Sequence, residues 1–107
     1  MSGWAFLALA IGSEVAGTLA LRAAAGGRNL WYIAVAVGYL LSFVFLSLTL
    51  SNGVGLGVAY GIWAATGVAL TAIASRCLFG EALTRMMGFG IALVVAGVLL
   101  IEIGSGR

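Results

Sequence analysis

Apolar residues fill this chain in four long blocks separated by three short polar or glycine-rich breaks. The first block runs from about Trp4 to Leu21 and is followed by Arg22 and the stretch AAAGGRN. The second runs from about Leu30 to Leu50 and opens on Trp31 and Tyr32, an aromatic pair suited to the headgroup level of a bilayer. After the turn SNGVG, a third covers about Leu56 to Ser75 and ends at Arg76. The fourth begins near Arg85 and continues to about Ile103. Each block has roughly the 20 residues that a helix needs to cross a hydrocarbon core of about 30 Å. The pattern predicts an all-α integral membrane protein with four transmembrane helices, residues 1–107 forming one domain. An outer-membrane barrel would alternate with a period of two over stretches of about ten residues, and these blocks do not. No small-x-small cleavage site follows the first block, which therefore reads as a retained helix and not a signal peptide.

Composition removes most other function classes. The 107 residues are 64% hydrophobic and 7% charged, with no histidine and no proline. Catalytic constellations are missing: there is no histidine for a triad, no pair of acids in one segment and no phosphate-binding loop, so no enzyme and no catalytic residue is expected. Cys77 has neither a disulfide partner nor companion metal ligands, which leaves it a packing residue and makes a metal site unexpected. The net charge of +2 comes from arginines at membrane flanks and does not point to nucleic acid.

Within LALAIGSEVAGTLALR, residues 7–22, Glu14 stands out. Counted from Trp4 it lies about 15 Å along a helix of about 27 Å, close to the bilayer midplane. An ionised acid there costs at least about 2.5–3.5 kcal/mol on insertion scales, so such residues normally face a cavity and mark an ion or substrate pathway. The competing structural reading is a protonated acid that ties two helices by one hydrogen bond, which Ser or Asn would do at lower cost. Helical spacing places Leu7, Ala10, Ile11, Gly17, Thr18 and Leu21 on the side of Glu14, most of its nearest neighbours being small. Part of this surface also fits small-xxx-small helix packing. In VAYGIWAATG, residues 58–67, Tyr60 and Trp63 stand three apart and deeper than an interfacial belt requires, as does Tyr39 in the second helix. Rings beside a lone carboxylate suit a large, weakly hydrated cation, with a cation–π attraction of about 0.5–2 kcal/mol per ring.

Glu14 with Gly17 and Thr18 behind it, AYGIW at residues 59–63, LFGE at 78–81 and the Gly90/Gly97 spacing resemble the small multidrug resistance transporters, over the whole chain. That family comprises bacterial proton-coupled exporters of lipophilic cations. The order EVAGT is similar to the multidrug, quaternary-ammonium branch and not to the guanidinium branch. The resemblance implies that Glu14 binds proton and substrate in turn, that Tyr60, Trp63 and Tyr39 line the site, and that Leu7, Ala10, Ile11, Gly17 and Thr18 form its floor. It further implies an antiparallel dimer in the bacterial plasma (inner) membrane, with Gly90 and Gly97 at the dimer contact and a bend of the third helix at Gly67. Membrane lipid and lipophilic cationic drugs are the expected partners, protons the driving force, and no cofactor is expected. The chain departs from the family pattern at Arg22, where lysine is usual, in the proline-free second loop, and at Ala65, where a second glycine is usual. Two alternative readings remain: an exporter of small guanidinium-type cations, and a non-transporting membrane partner subunit.

Arginine placement adds an expectation about topology. Loops one and three share one side and carry Arg22, Arg28, Arg76 and Arg85, against Arg107 alone on the other. The positive-inside rule then places loops one and three in the cytoplasm. Such a bias favours a heterodimer with a homologous, inverted partner over a homodimer.

Overall fold

The computed structural model describes residues 2–104, and the expectations resting on Arg107 lie outside them. Four helices make up the fold: α1 (Gly3–Ala25), α2 (Trp31–Ser51), α3 (Leu56–Phe79) and α4 (Arg85–Gly104). All four are long and apolar enough to cross a membrane.

Two helices outrun the arginines expected to close them. α1 passes Arg22 and stops at Ala25, where the Gly26 N–H reaches back to the carbonyls of Arg22 and Ala23, both at 3.2 Å. α3 passes Arg76 and stops at Phe79, where Gly80 turns left-handed at φ 66° and the Glu81 N–H bonds the Ser75 carbonyl at 3.4 Å. Arginine propagates a helix well and its charge suits the last turn. Glycines that accept positive φ at little steric cost, Gly27 at 113° just past α1 and Gly80 at 66° past α3, are the stronger stop. At the other end of α1, Ser2 caps the helix by accepting the Ala5 N–H on its hydroxyl at 3.2 Å.

α1 is the hub of the bundle and packs on both α2 and α3, whereas α4 packs on α3 alone. The α1–α2 crossing is set by two glycines. A Cβ on Gly38 would lie 2.8 Å from the Gly17 Cα, and one on Gly17 would lie 3.4 Å from the Tyr39 nitrogen. Such close backbone approach drives helix association where lipid is as apolar as the side chains. Ser42, fully buried, fastens the same region. Its hydroxyl donates to the Ala10 carbonyl at 2.8 Å and accepts the Trp63 indole N–H at 2.9 Å, so one side chain joins three helices. Around it Leu7, Ala10, Ile11, Ile62 and Trp63 form the core.

α4 has no buried residue. Met86, Phe89, Leu93 and Leu100 are all exposed on it. Gly90 and Gly97 have open space where a Cβ would stand. Cys77, expected to pack, is exposed instead.

Candidate functional site

Glu14 occupies the midpoint of the 23-residue α1, a helix of about 34 Å. Its carboxylate is half-buried and makes no ion pair or hydrogen bond among the described residues. It rests against α3 at Gly67. A Cβ on Gly67 would overlap the Glu14 Oε1 and stand 2.7 Å from its Cδ. Gly67, expected as a bend, thus provides the seat of the acid, and α3 is continuous through it.

Two cavities meet at Glu14, and both also border Thr18 and Val68. One, of about 310 Å³, is walled by Tyr39, Phe43, Trp63 and Ala64. The other, of about 360 Å³, follows Gly67, Thr71 and Ser75 along α3 to Glu81, Ala82 and Met87 at loop three. Gly67, Thr71 and Ser75 are spaced four apart, so they line one helical row and carry the second cavity away from the aromatic wall. The acid therefore faces rings on one side and a hydroxyl-lined passage on the other.

The aromatic wall is held by hydrogen bonds. Trp63 is 9% exposed, with its indole N–H fixed by Ser42. Its ring lies 5.7 Å from that of Phe43 and 5.6 Å from that of Tyr60, tilted at 58° and 53°. The Thr18 hydroxyl donates to the Glu14 carbonyl at 2.9 Å, so the Tyr39 hydroxyl, 2.7 Å away, is the donor to Thr18. Tyr39 and Thr18 are thereby locked beside the acid.

Of the expected site residues, Glu14, Thr18, Tyr39 and Trp63 come together around the cavities. Leu7, Ala10 and Ile11 line neither cavity: they pack against Ile62 and Trp63, because α2 and α3 both cover the amino-terminal half of α1. They support the site from behind and are not its open floor. Gly17 is buried against Tyr39, where it allows the helices to approach. Tyr60 is 56% exposed and reaches the site only through the face of Trp63. Gly38, Ser42 and Phe43 carry no assignment from the sequence, and Glu81 enters there only as the last residue of LFGE, with no role. Only Ser42, a hydroxyl isolated in an apolar run, carries a readable signal.

At the loop-three end, Glu81 receives a hydrogen bond from Ser75 and pairs with Arg22, Nε to Oε2 at 2.9 Å. The Arg22 guanidinium also stands over the Phe79 ring, its Cζ 5.2 Å from the centroid. The hydrogen bonds from Ser75 and Arg22, helped by the Arg22 charge, hold the Glu81 carboxyl below the usual carboxylate range. Among the described residues no three potential ligands gather as a metal would require.

Comparison with known proteins decides the class. The family model described as Small Multidrug Resistance protein matches residues 2–94. The chain belongs to the small multidrug resistance family. It is also 45% identical, over 103 residues, to the Multidrug resistance protein EbrB of Bacillus subtilis (strain 168), a match covering 95% of this chain and 87% of the relative. The matched family stretch contains Glu14, Thr18, Tyr39, Trp63, Gly67 and Glu81, and stops short of Gly97. Membership, with four spanning helices, makes this a multi-pass protein of the bacterial inner membrane from a family of multidrug transporters.

Proposed function

We propose that this member of the small multidrug resistance family is a proton-coupled exporter of lipophilic or quaternary-ammonium cations, in which proton and cation compete for Glu14. The observation that carries the reading is the acid's position between the two cavities, one aromatic and one lined by hydroxyls. A bulky cation finds charge at Glu14 and apolar, electron-rich faces at Trp63, Phe43 and Tyr39. A proton reaches the same carboxylate along Thr71 and Ser75. With no basic partner at the acid, neutralising it in the membrane falls to whichever ligand is bound. The two ligands exclude one another, and alternating exposure of the site to the two membrane faces then couples proton entry to drug exit. Coupling requires Glu14 to exchange its proton within the working pH range.

The exposed α4, with Gly90 and Gly97 facing outward, supports an antiparallel dimer contact there. The arginine bias favours a homologous partner of inverted orientation. Labelling of a C-terminal cysteine tag from one side only, together with resistance that needs a second gene, fits the heterodimer. Equal labelling from both sides with resistance from this gene alone rules it out.

The function is tested in proteoliposomes. Wild type should exchange protons for tetraphenylphosphonium, while Glu14→Gln should insert and fold but neither bind nor transport it. Full transport by Glu14→Gln would overturn the reading. Transport of guanidinium in preference to tetraphenylphosphonium would move the chain to the small-cation class, and absence of any transport by either assembly would favour a partner subunit.

A further inference from the structure

The loop-three end of the polar cavity holds a second acid that the mechanism above leaves unused. Glu81 borders the same cavity as Glu14, and the side chains lining the passage between them are Thr71, Ser75, Ala72, Val68 and the edge of Gly67. Glu81 is occupied by an organic cation of the chain's own. The Arg22 guanidinium is held by the carboxylate at 2.9 Å on one side and the face of Phe79 at 5.2 Å on the other. A carboxylate and a ring face are the two elements that recognise a lipophilic cation at Glu14. Resting on the cation-export reading, we infer that Glu81 and Ser75, at the loop-three end of the Glu14 cavity, together with Phe79, which lines the neighbouring Arg22 pocket, form an outer binding station for organic cations, filled in this structure by Arg22 as a tethered stand-in for substrate.

Three observations shape how the station works. The Arg22 and Glu81 side chains are 51% and 47% exposed, and ion pairs so exposed to water are weakly held and easily exchanged. The pocket that Arg22 and Phe79 themselves line, with Leu19, Trp31 and Leu78, leaves the Arg22 side chain room to move off Glu81. Ser75 holds the second carboxylate oxygen from α3, so Glu81 stays aimed at the cavity when Arg22 leaves. A cation that replaces Arg22 on Glu81 stands at one end of the cavity that Glu14 also borders. Arg22 then returns behind it, its positive charge opposing backflow.

Initial-rate uptake of tetraphenylphosphonium, in proteoliposomes holding the transporting assembly, separates this station from a structural tie and from long-range attraction. Arg22→Gln removes the competitor and should lower KM about threefold or more. Glu81→Gln should raise KM by about three- to tenfold with Vmax little changed, and Glu81→Asp should fall between it and wild type. Phe79→Leu, which keeps the packing and removes the ring, should raise KM about threefold. Parallel shifts of KM in Arg22→Gln and Glu81→Gln would mean that the pair only ties α1 to loop three. An unchanged KM in Phe79→Leu would reduce the effect to surface charge. Either result overturns the station while leaving export through Glu14 intact. A wild type that binds no tetraphenylphosphonium would overturn the proposed function first and the station with it.

Discussion

The two acids that border one cavity are held in opposite ways. Glu81, at the membrane flank, has an arginine on one oxygen and a serine on the other. Glu14, at mid-membrane, has a glycine to rest on, rings on one side, and no basic group. Glu81, with a serine donor and a tethered cation at hand, stays ionised near neutral pH while cations trade places on it. Glu14 has no such partner and takes its neutralising ligand, proton or cation, from outside, which makes it the site where the two compete. The difference lies less in the acids than in what the sequence places beside them, Arg22 and Ser75 in one case and Gly67 in the other.

Short of removing the acid itself, the largest effect should come from removing its seat. Gly67→Ala adds a methyl that overlaps the Glu14 carboxylate, and the carboxylate must shift from its seat between the cavities. Alanine is the better helix former by about 1 kcal/mol, so α3 itself should gain stability. Cation affinity should nevertheless fall at least about tenfold with helical content preserved, as read by equilibrium binding and circular dichroism on the same preparation. Unchanged affinity would show that the seat does not position the acid.

Next comes the wall. Ser42→Ala strands the Trp63 indole N–H and removes the tie to the Ala10 carbonyl, at an expected cost of about 1–3 kcal/mol for a buried donor left unpaired. Lower thermal stability in detergent with proton-coupled transport retained is the expected pattern. Trp63→Ala combines a core cavity worth about 3–5 kcal/mol with loss of cation–π attraction, and it should weaken aromatic cations more than protons. Equal binding of an aromatic cation by Trp63→Ala and wild type would reduce the ring to packing.

These residues also mark how far the sequence could be read. Block length and the depth of Glu14 needed no coordinates, because helix rise and bilayer thickness fix both. Helical spacing points to Thr18 and Trp63, and depth in the second helix to Tyr39, and the structure places all three at the cavity beside Glu14. Periodicity says which residues share a face but not which neighbouring helix covers it, and for that reason Leu7, Ala10 and Ile11 looked like an open floor and are core. The same limit applies to Tyr60, whose ring meets Trp63 while its face of α3 is left open. The bend at Gly67 is implied by the family resemblance alone. The room Gly67 leaves for a side chain from α1 is a contact between helices that no local pattern reveals. The Arg22–Glu81 pair, 59 residues apart, was hidden for the same reason.

The smallest effect distinguishes the two acids by pH. The Glu81 carboxyl is held below its ordinary value by Ser75 and Arg22. Its contribution is therefore present above the unfolded value of about 4.3 and is lost only as pH falls through the lowered one. Between about pH 5 and 8 the Arg22 tie should not titrate, and all pH dependence of cation binding in that window should belong to Glu14. Glu81→Gln should keep the shape of the wild-type pH profile. A profile that flattens in this variant would assign part of the proton coupling to Glu81.

The claim that one mid-membrane acid serves two ligands is tested most directly by tetraphenylphosphonium affinity measured against pH on the purified assembly. Competition at Glu14 predicts an acidic limb on which affinity falls about tenfold per pH unit for each proton displaced, with matching proton release on cation binding in weakly buffered solution. An affinity flat across the same range, or proton release that persists in Glu14→Gln, would contradict it.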